Sequence, residues 1–248
     1  MTSIGTGYDL SNSTFSPDGR IFQVEYASKA VENAGTIIGL RCKDGVILAQ
    51  EKLVTSKLLV KNSNRRLAQV QKHVGVATTG MIPDGRHFVN RCRDEASDWK
   101  DKFKAPIPCH ALTDRMSGYV QAHTLYSSVR PFGITAIIAG MDARGPQLFM
   151  VEPSGQSWGY KAAAAGKGKQ TAVSELEKLA LDEMVLEDAL REAVRIIYLA
   201  HEDSKDKDFE LEIGWVKDGQ WSLIPEELKK EAEAFAKKSV EGEDEMTD

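Results

Sequence analysis

The sequence predicts an α+β fold in which two antiparallel sheets pack face to face between two layers of helices. Three observations support this prediction. Short apolar runs come in pairs that are separated by Asp-Gly or similar turn signals, which is typical of antiparallel hairpins. Pairs of helical patterns lie between these runs of strands, and this order favours layered packing. At 248 residues the chain is long enough to bury a large core without disulfide bonds.

The first predicted helix is the least expected element, because it precedes the first strand. Residues 1–15 are rich in Gly, Ser, Thr and Asn, and we expect them to form a flexible tail. Residues 16–19 match a type I turn, with Pro17 in the second position and Gly19 in the fourth. Apolar residues then recur at helical spacing over about 20–32.

The remaining elements are predicted as alternating pairs of strands and pairs of helices. The predicted strands span residues 36–41, 46–51, 66–70, 74–79, 134–139, 147–151, 158–165, 209–216 and 220–224. The predicted helices span residues 83–103, about 112–123, 170–181, 186–201 and a final segment after Pro225. Residues 241–248 are mostly acidic, so we expect them to be a disordered tail.

The composition is that of an ordinary globular protein, with 42% apolar residues, 28% charged residues and a net charge of −5. No basic stripe is present, which argues against a nucleic-acid partner. Three widely spaced cysteines, Cys42, Cys92 and Cys109, favour neither a disulfide framework nor a zinc site. No apolar run reaches the ~18 residues of a membrane span, and the first residues lack a signal-peptide pattern. We therefore expect a protein of the cytoplasm and nucleus without a metal, a cofactor or a membrane partner.

The segment from residue 5 to residue 27 is the most specific motif of the chain. In order, it contains Tyr8-Asp9, Phe15-Ser16-Pro17-Asp18-Gly19-Arg20 and Gln23-Val24-Glu25-Tyr26-Ala27. This segment resembles the N-terminal signature of proteasome alpha subunits, and its first residues resemble one eukaryotic branch of that family. Three later runs fit the same family: Gly80–Arg86, Ser128–Gly133 and Pro153–Gly155. The resemblance extends over roughly residues 4–240.

The resemblance implies a four-layer αββα sandwich, related to N-terminal nucleophile hydrolases, with an extra N-terminal helix. It also implies a non-catalytic subunit that joins six other alpha subunits in a heteroheptameric outer ring, which stacks on a ring of beta subunits. The N-terminal tails of such a ring close its axial pore and control the entry of unfolded polypeptide substrates. A regulatory particle or another activator docks on this ring, and the complex degrades proteins by ubiquitin-dependent and ubiquitin-independent routes.

The resemblance further implies roles for residues of the N-terminal segment. Tyr8, Asp9, Pro17 and Tyr26 match a cluster that stabilises the open gate in this family. A Gly- and Ser-rich tail changes between order and disorder at low cost, which suits a gate. Leu10 stands where the family usually has Arg, and Leu cannot form an ion pair with a carboxylate of a neighbouring subunit.

Arg66 matches a position at which alpha subunits usually carry Lys, in a pocket between neighbours that receives the C-terminal carboxylate of an activator. Gly19 and Glu25 match residues that border the same pocket. Arg can hold a carboxylate through two parallel hydrogen bonds, although it differs from Lys in shape. A plain surface role for Arg66, and a turn and a helix-surface role for Gly19 and Glu25, remain as alternatives.

An N-terminal threonine peptidase is the main alternative function. Cleavage after Gly35 would give Thr36 a free amine that activates its hydroxyl. That cleavage would also remove the N-terminal signature. The catalytic class needs an Asp after the second strand and a Lys on the third, where this chain has Glu51-Lys52 and Arg66. Arg stays protonated near neutral pH and is therefore a poor general base.

A nucleotide-binding enzyme is a third and weaker hypothesis. The run Gly166–Lys169 resembles a phosphate-binding loop, but it lacks the required spacing and the Ser or Thr after Lys. We expect a turn between a strand and a helix at this run.

Overall fold

The computed structural model describes residues 7–54, 56–60, 63–204 and 208–244. Within these ranges it contains six helices and ten strands. The helices are α1 (Phe22–Glu32), α2 (Ile82–Phe103), α3 (Cys109–Ala122), α4 (Lys169–Leu176), α5 (Leu186–Ser204) and α6 (Glu226–Asp244). The strands are β1 (Ile37–Arg41), β2 (Gly45–Leu53), β3 (Leu67–Gln71), β4 (Val74–Gly80), β5 (Ile134–Asp142), β6 (Gly145–Val151), β7 (Ser157–Gly159), β8 (Ala162–Ala165), β9 (Phe209–Lys217) and β10 (Gln220–Leu223).

The strands form two antiparallel five-stranded sheets, in the orders β10-β9-β2-β1-β8 and β3-β4-β5-β6-β7. Apolar side chains from the inner faces of both sheets form one core, with Ile37, Leu48 and Ile137 fully buried. Helices α2 and α3 pack on the outer face of the second sheet, and α4, α5 and α6 pack on the outer face of the first. The predicted αββα sandwich is therefore confirmed, with α1 as the additional N-terminal helix.

The central strands are buried on both faces, which explains why their sequences read as nearly continuous apolar runs. In β9, the alternating residues Leu211, Ile213 and Trp215 pack with the residues of α5, as the pattern of the sequence predicts. Val216, on the opposite face of β9, belongs to the core between the sheets.

The single strand predicted at 158–165 was wrong, because two strands in different sheets occupy this stretch. β7 pairs with β6 in the second sheet, and β8 pairs with β1 in the first. Between them, the Tyr160 N–H donates to Leu148 O at 2.9 Å and the Arg41 N–H donates to Lys161 O at 2.8 Å. Gly159 stands directly before the crossing, but an isolated Gly in a strand pattern usually indicates a bulge, so the sequence pattern alone could not show the change of sheet.

Two helices end at positions that differ from the sequence expectation. α4 ends at Leu176, and the next residues form turns from which Leu181 still reaches the core. Helical spacing of apolar residues predicted a longer helix because both arrangements bury the same side chains. α6 continues to Asp244, into the segment for which the sequence predicts disorder, and Val240 is buried in its last turns. Residues 245–248 lie outside the described residues.

All three cysteines are buried and free. Burial raises the pKa of the Cys42 thiol and of the Cys109 thiol to about 12. Within the described ranges, no three or more His, Cys, Asp or Glu residues lie together in an arrangement that could hold a metal ion. No helix in the same ranges is long and apolar enough to cross a membrane.

Candidate functional site

A tight turn joins the N-terminal segment (residues 7–20) to α1. The Gly19 N–H donates to Ser16 O at 2.9 Å, which closes the predicted β-turn with Pro17 in its second position. Gly19 has a φ of +78°, a left-handed conformation that a larger residue would adopt only with strain. The Arg20 N–H donates to the Ser16 hydroxyl at 2.9 Å, and the Ser16 N–H donates to Arg20 O at 2.9 Å. Backbone hydrogen bonds therefore hold the turn in one shape.

Glu25 faces Arg20 on the exposed surface beside this turn. Arg20 Nε donates to Glu25 Oε1 at 2.6 Å, and Arg20 Nη2 contacts Glu25 Oε2. The hydrogen bond from Arg20 lowers the pKa of Glu25 from its ordinary value. An exposed pair of this kind contributes little to stability, so its main effect is to orient the Glu25 carboxylate.

Asp9 and Tyr26, two of the four residues assigned to the gate, contact each other directly. The Tyr26 hydroxyl donates to Asp9 Oδ2 at 3.2 Å, and Gln23 Nε2 donates to Asp9 O. Partial burial, together with the neighbouring Asp9 carboxylate, raises the pKa of Tyr26. Tyr8 and Pro17 are exposed, and in the described part of the chain neither is hydrogen-bonded to this pair. The structure therefore brings two of the gate residues together in one chain.

Asn12 attaches the N-terminal segment to the body of the protein. Its side chain is only 4% exposed, and its Nδ2 donates to His123 O and to Val129 O, each at 2.8 Å. These two carbonyl groups belong to the connection between α3 and β5. The sequence predicts a flexible tail at residues 1–15, but Asp9 is hydrogen-bonded to α1 and Asn12 is packed against the body. Residues 1–6 lie outside the described residues. Composition could not reveal the contact, because an Asn in a polar stretch usually indicates a turn.

Thr36 lies at the start of β1, where it is 1% exposed. Its N–H donates to Glu51 Oε2 at 2.9 Å, and its Oγ1 accepts the N–H of Gly168 at 3.1 Å. Glu51 Oε1 lies 2.6 Å from Nδ1 of His201. We call these four residues, Thr36, Glu51, Gly168 and His201, the Thr36 cluster. A threonine nucleophile needs a free amine and an accessible hydroxyl; in this full-length chain the Thr36 nitrogen is a peptide amide hydrogen-bonded to Glu51, and the hydroxyl is enclosed.

Lys52 and the loop before α4 also form contacts within the protein. Lys52 is buried, and its Nζ lies 3.2 Å from Glu210 Oε2 and 3.8 Å from Glu212 Oε2. In the loop, the Lys167 N–H donates to Ala34 O at 2.9 Å. The backbone amides that a phosphate would need are thus partly occupied by the protein, and the predicted turn between a strand and a helix is confirmed.

Arg66 lies at the edge of a cavity of about 550 Å³ between the start of β3, the end of β4 and the first turns of α2. Its N–H donates to Glu212 Oε2 and its Nε donates to Asn64 Oδ1, both at 2.9 Å. Arg66 comes just before β3 rather than on it. Gly19 and Glu25 do not line this cavity, so the three residues assigned to docking lie in two separate places on the chain.

Comparison with known proteins identifies the family. A family model described as "Proteasome subunit" matches residues 31–216, and a second model, which describes the N-terminal signature of A-type proteasome subunits, matches residues 8–30. The chain belongs to the proteasome alpha-subunit family. The N-terminal signature includes the turn at Pro17 and the Asp9–Tyr26 contact described above.

Individual relatives narrow this assignment. The chain is 56% identical to "Probable proteasome subunit alpha type-7" of Saccharomyces cerevisiae, over 98% of this chain and 87% of that protein. It is 54% identical to the protein of the same name from Schizosaccharomyces pombe, over 99% of this chain and 98% of that protein. It is 52% identical to "Proteasome subunit alpha type-3" of Acanthamoeba castellanii, over 99% of each chain. The eukaryotic branch indicated by the first residues of the signature, type 3 or alpha seven, is confirmed.

In this proteasome alpha subunit, Thr36 is part of the packed interior, whereas the N-terminal segment presents exposed side chains. Sequence reasoning missed the contacts of Asn12, the partnership of Glu51 with His201, and Arg86 in the cavity beside Arg66. Only the position of Arg86, in a run that fits the family, gave any signal. The other contacts join residues more than a hundred positions apart, which no local pattern reveals.

Proposed function

We propose that this chain is a non-catalytic structural and gating subunit of the outer ring of a proteasome core particle. The observation that carries this proposal is the match of residues 8–30 to the alpha N-terminal signature. An N-terminal threonine peptidase would lose that segment on cleavage at Gly35. The enclosure of the Thr36 hydroxyl gives further support, so the peptidase alternative is not favoured.

In this proposal, six other alpha subunits complete a heteroheptameric ring, which stacks on a ring of beta subunits. Exposed apolar side chains of the N-terminal segment support such assembly, because large apolar groups at the surface favour protein contacts. Leu10 is 90% exposed, and Tyr8 and Phe15 are exposed beside it. The complex would act in the cytoplasm and nucleus on unfolded polypeptides, in ubiquitin-dependent and ubiquitin-independent degradation.

The gating role would rest on Tyr8, Asp9, Pro17 and Tyr26. The Tyr26–Asp9 hydrogen bond orders the start of the tail, and the hydrogen-bonded turn at Pro17 sets its direction. Leu10 projects into solvent and offers only apolar contact to a neighbour. This subunit would therefore form an ion pair with a neighbour through the Asp9 carboxylate but not through residue 10, because Leu10 carries no charge.

The docking role would rest on Arg66 together with Gly19 and Glu25. Their separation within one chain supports a pocket that is completed between neighbours, in which one subunit contributes the turn at Gly19 and the next contributes the cavity at Arg66. Arg66 would bind the terminal carboxylate of a regulatory particle or another activator. Arg suits this task because its planar group can form two parallel hydrogen bonds with a carboxylate.

Removal of residues 2–12 in the assembled particle tests the gating role. We expect the particle to hydrolyse small peptides faster without an activator, because one of seven tails no longer covers the pore. A particle in which residues 2–12 are replaced by a Gly-Ser linker of the same length is the control for tail length. An unchanged rate in the deleted particle would argue against gating by this tail. An intact mass that begins at Thr36 would instead support the peptidase alternative.

A further inference from the structure

The cavity beside Arg66 has an unusual charge distribution. Four of the residues that line it are arginines, and none is acidic. The arginines are Arg65, Arg66, Arg86 and Arg93. Its volume of about 550 Å³ lies within the range of sites that bind a small ligand or the end of a peptide.

None of these four arginines forms an ion pair with any residue that the structure describes. The Arg93 guanidinium donates to Gln69 O from Nε at 3.0 Å and from Nη2 at 2.9 Å. Arg66 uses its Nε for Asn64, and the nearby Glu212 carboxylate accepts its backbone N–H. That carboxylate also lies 3.8 Å from Lys52 Nζ, so it is shared with another cation. Within this chain, the positive charge of the cavity is therefore only partly compensated, by Glu212 beside Arg66.

The arginines approach the cavity from two sides. Arg86 and Arg93, together with Asn90, lie on one face of α2, because spacings of three and four residues bring side chains to the same face. Arg86 and Arg93 are about 10 Å apart along the helix axis. Arg65 and Arg66 lie across the cavity, just before β3. This spread is wide enough for two anionic groups of one ligand.

Arg66 and Arg86 are close enough to influence each other. Burial lowers the pKa of the Arg66 guanidinium; Glu212 opposes this shift, and the like charge of Arg86 adds to it. Two cations in such proximity repel each other, and an anion placed between them removes that cost. The pair is therefore suited to binding an anion rather than to stabilising the empty cavity.

Part of the cavity wall is apolar. This part is formed by Leu67, Ala68, Met81, Ile82, Val89 and Ile134, while Ser63, Gln69, Thr78, Thr79 and Asn90 add uncharged polar side chains. Inorganic phosphate or a polyphosphate would leave this wall exposed to water, whereas a peptide end with an apolar side chain would cover it. The combination of arginines and an apolar wall therefore favours a peptide over a simple inorganic anion.

We propose that this cavity binds a peptide C-terminus that carries two carboxylates and one apolar side chain. Arg66 binds the terminal carboxylate, Arg86 binds an acidic side chain from one of the preceding residues, and Met81 and Val89 contact the apolar side chain. The inference rests on the proposed docking role of Arg66, and it adds the class of tail that is recognised. Acidic tails are then preferred over tails that carry only the terminal carboxylate.

Peptide binding to the assembled particle tests this inference. The probe is a short fluorescent peptide with a free C-terminus and one Glu among its last residues, and its binding is measured by fluorescence anisotropy. Two analogues carry Gln in place of that Glu or an amide in place of the terminal carboxylate. We expect each analogue to bind about tenfold more weakly, as the loss of one charge-assisted hydrogen-bonded pair implies.

Variants of the protein assign each contact. Arg86→Gln should weaken binding of the Glu peptide about tenfold. Binding of the Gln analogue should not change, since that peptide lacks the carboxylate that Arg86 binds. Arg66→Gln should remove the preference for a free terminal carboxylate. Arg86→Lys should restore part of the affinity because it keeps the charge. Lys102→Gln, which removes a charge from an exposed position of the same helix outside the cavity, is the matched control.

The outcomes separate this inference from the proposed docking role. If Arg86→Gln weakens both peptides equally or neither of them, while Arg66→Gln still acts, this inference fails and the docking role stands. If the terminal amide and Arg66→Gln have no effect, the docking role itself fails. If inorganic tripolyphosphate binds more tightly than the Glu peptide, the assignment to a peptide is overturned. If the Arg86→Gln subunit does not assemble, the inference is tested by comparing binding of the Glu peptide and the Gln analogue to the unmodified particle. Equal binding of these two peptides refutes the inference.

Discussion

The Thr36 cluster and the contacts of the N-terminal segment are both polar, but they differ in burial and in the use of their hydrogen bonds. Thr36 is 1% exposed, and its amide and hydroxyl are both hydrogen-bonded, whereas Tyr26 is 46% exposed and holds Asp9 through one bond of 3.2 Å. A buried group that loses its partner incurs a desolvation cost, but an exposed group exchanges its partner for water. The Thr36 cluster is thus suited to holding the sandwich together, and the N-terminal segment is suited to changing partners.

The largest effect is expected when the buried cluster is broken. In Glu51→Ala, the Thr36 N–H loses its acceptor and His201 loses the partner of its Nδ1. We expect the free energy of unfolding to fall by about 3–5 kcal/mol, as is typical when one member of a buried, paired site is removed. Chemical denaturation of the purified chain measures this fall.

The exposed helix residue Glu231 provides the control for this prediction, since Glu231→Ala removes a carboxylate without breaking a described contact. Equal losses of unfolding free energy in the two variants would show that the Thr36 cluster does not stabilise the fold more than an exposed residue does. The contrast between this cluster and the N-terminal segment would then fail.

A smaller effect is expected at Asn12, which combines features of both regions because it is buried but belongs to the N-terminal segment. Asn12→Asp keeps the shape of the side chain, yet a carboxylate cannot donate to the carbonyl oxygens of His123 and Val129. Hydrogen exchange of residues 7–20 should accelerate about tenfold to a hundredfold, while global unfolding changes less. Ser13→Asp adds the same charge at an exposed position, and similar acceleration in that variant would show that charge alone is responsible.

Tyr26→Phe tests the exposed side of the comparison. Loss of the hydroxyl removes the bond to Asp9, and the free energy of unfolding should change by less than about 1 kcal/mol. Activator-stimulated peptide hydrolysis by the assembled particle should fall, because the ordered start of the tail is lost. Tyr126→Phe, which removes an exposed hydroxyl outside the N-terminal segment, is the matched control, and an equal fall in both variants would indicate that the Asp9 contact has no part in opening.

The smallest effect is expected at the pair of Arg20 and Glu25. The pKa of Glu25 is lowered in the folded chain, so the stabilisation by this pair is complete above the ordinary pKa of Glu and is lost as the pH falls through the lowered value. Arg20→Gln should raise the pKa of Glu25 towards its ordinary value, which a carboxyl NMR titration measures. Lys29→Gln, which breaks the separate pair with Glu32, should leave Glu25 unchanged. No shift in Arg20→Gln would mean that another group holds this pKa down.

Much of the fold was predictable because the layers impose a local pattern. The hairpin β1–β2 follows from apolar runs on either side of Asp44-Gly45, and α2 follows from the spacing of Phe88, Cys92 and Ala96. The crossing at Tyr160 and Lys161 was not predictable, because sheet membership depends on partners distant in sequence. The end of α4 was missed for the same reason, since Leu181 reaches the core without a helix.

The sequence by itself determined the family, the order of the elements and the residues of the N-terminal signature, since each of these is a contiguous pattern. Only the tertiary structure decided that Asn12 is anchored, that Thr36 is enclosed by Glu51 and Gly168, and that Arg86 meets Arg66 around one cavity. The physical reason is that burial and pairing depend on which distant residues the packed layers bring together. A local sequence therefore identifies a residue such as Arg66, but the packing of the two sheets and their helices decides what it can bind.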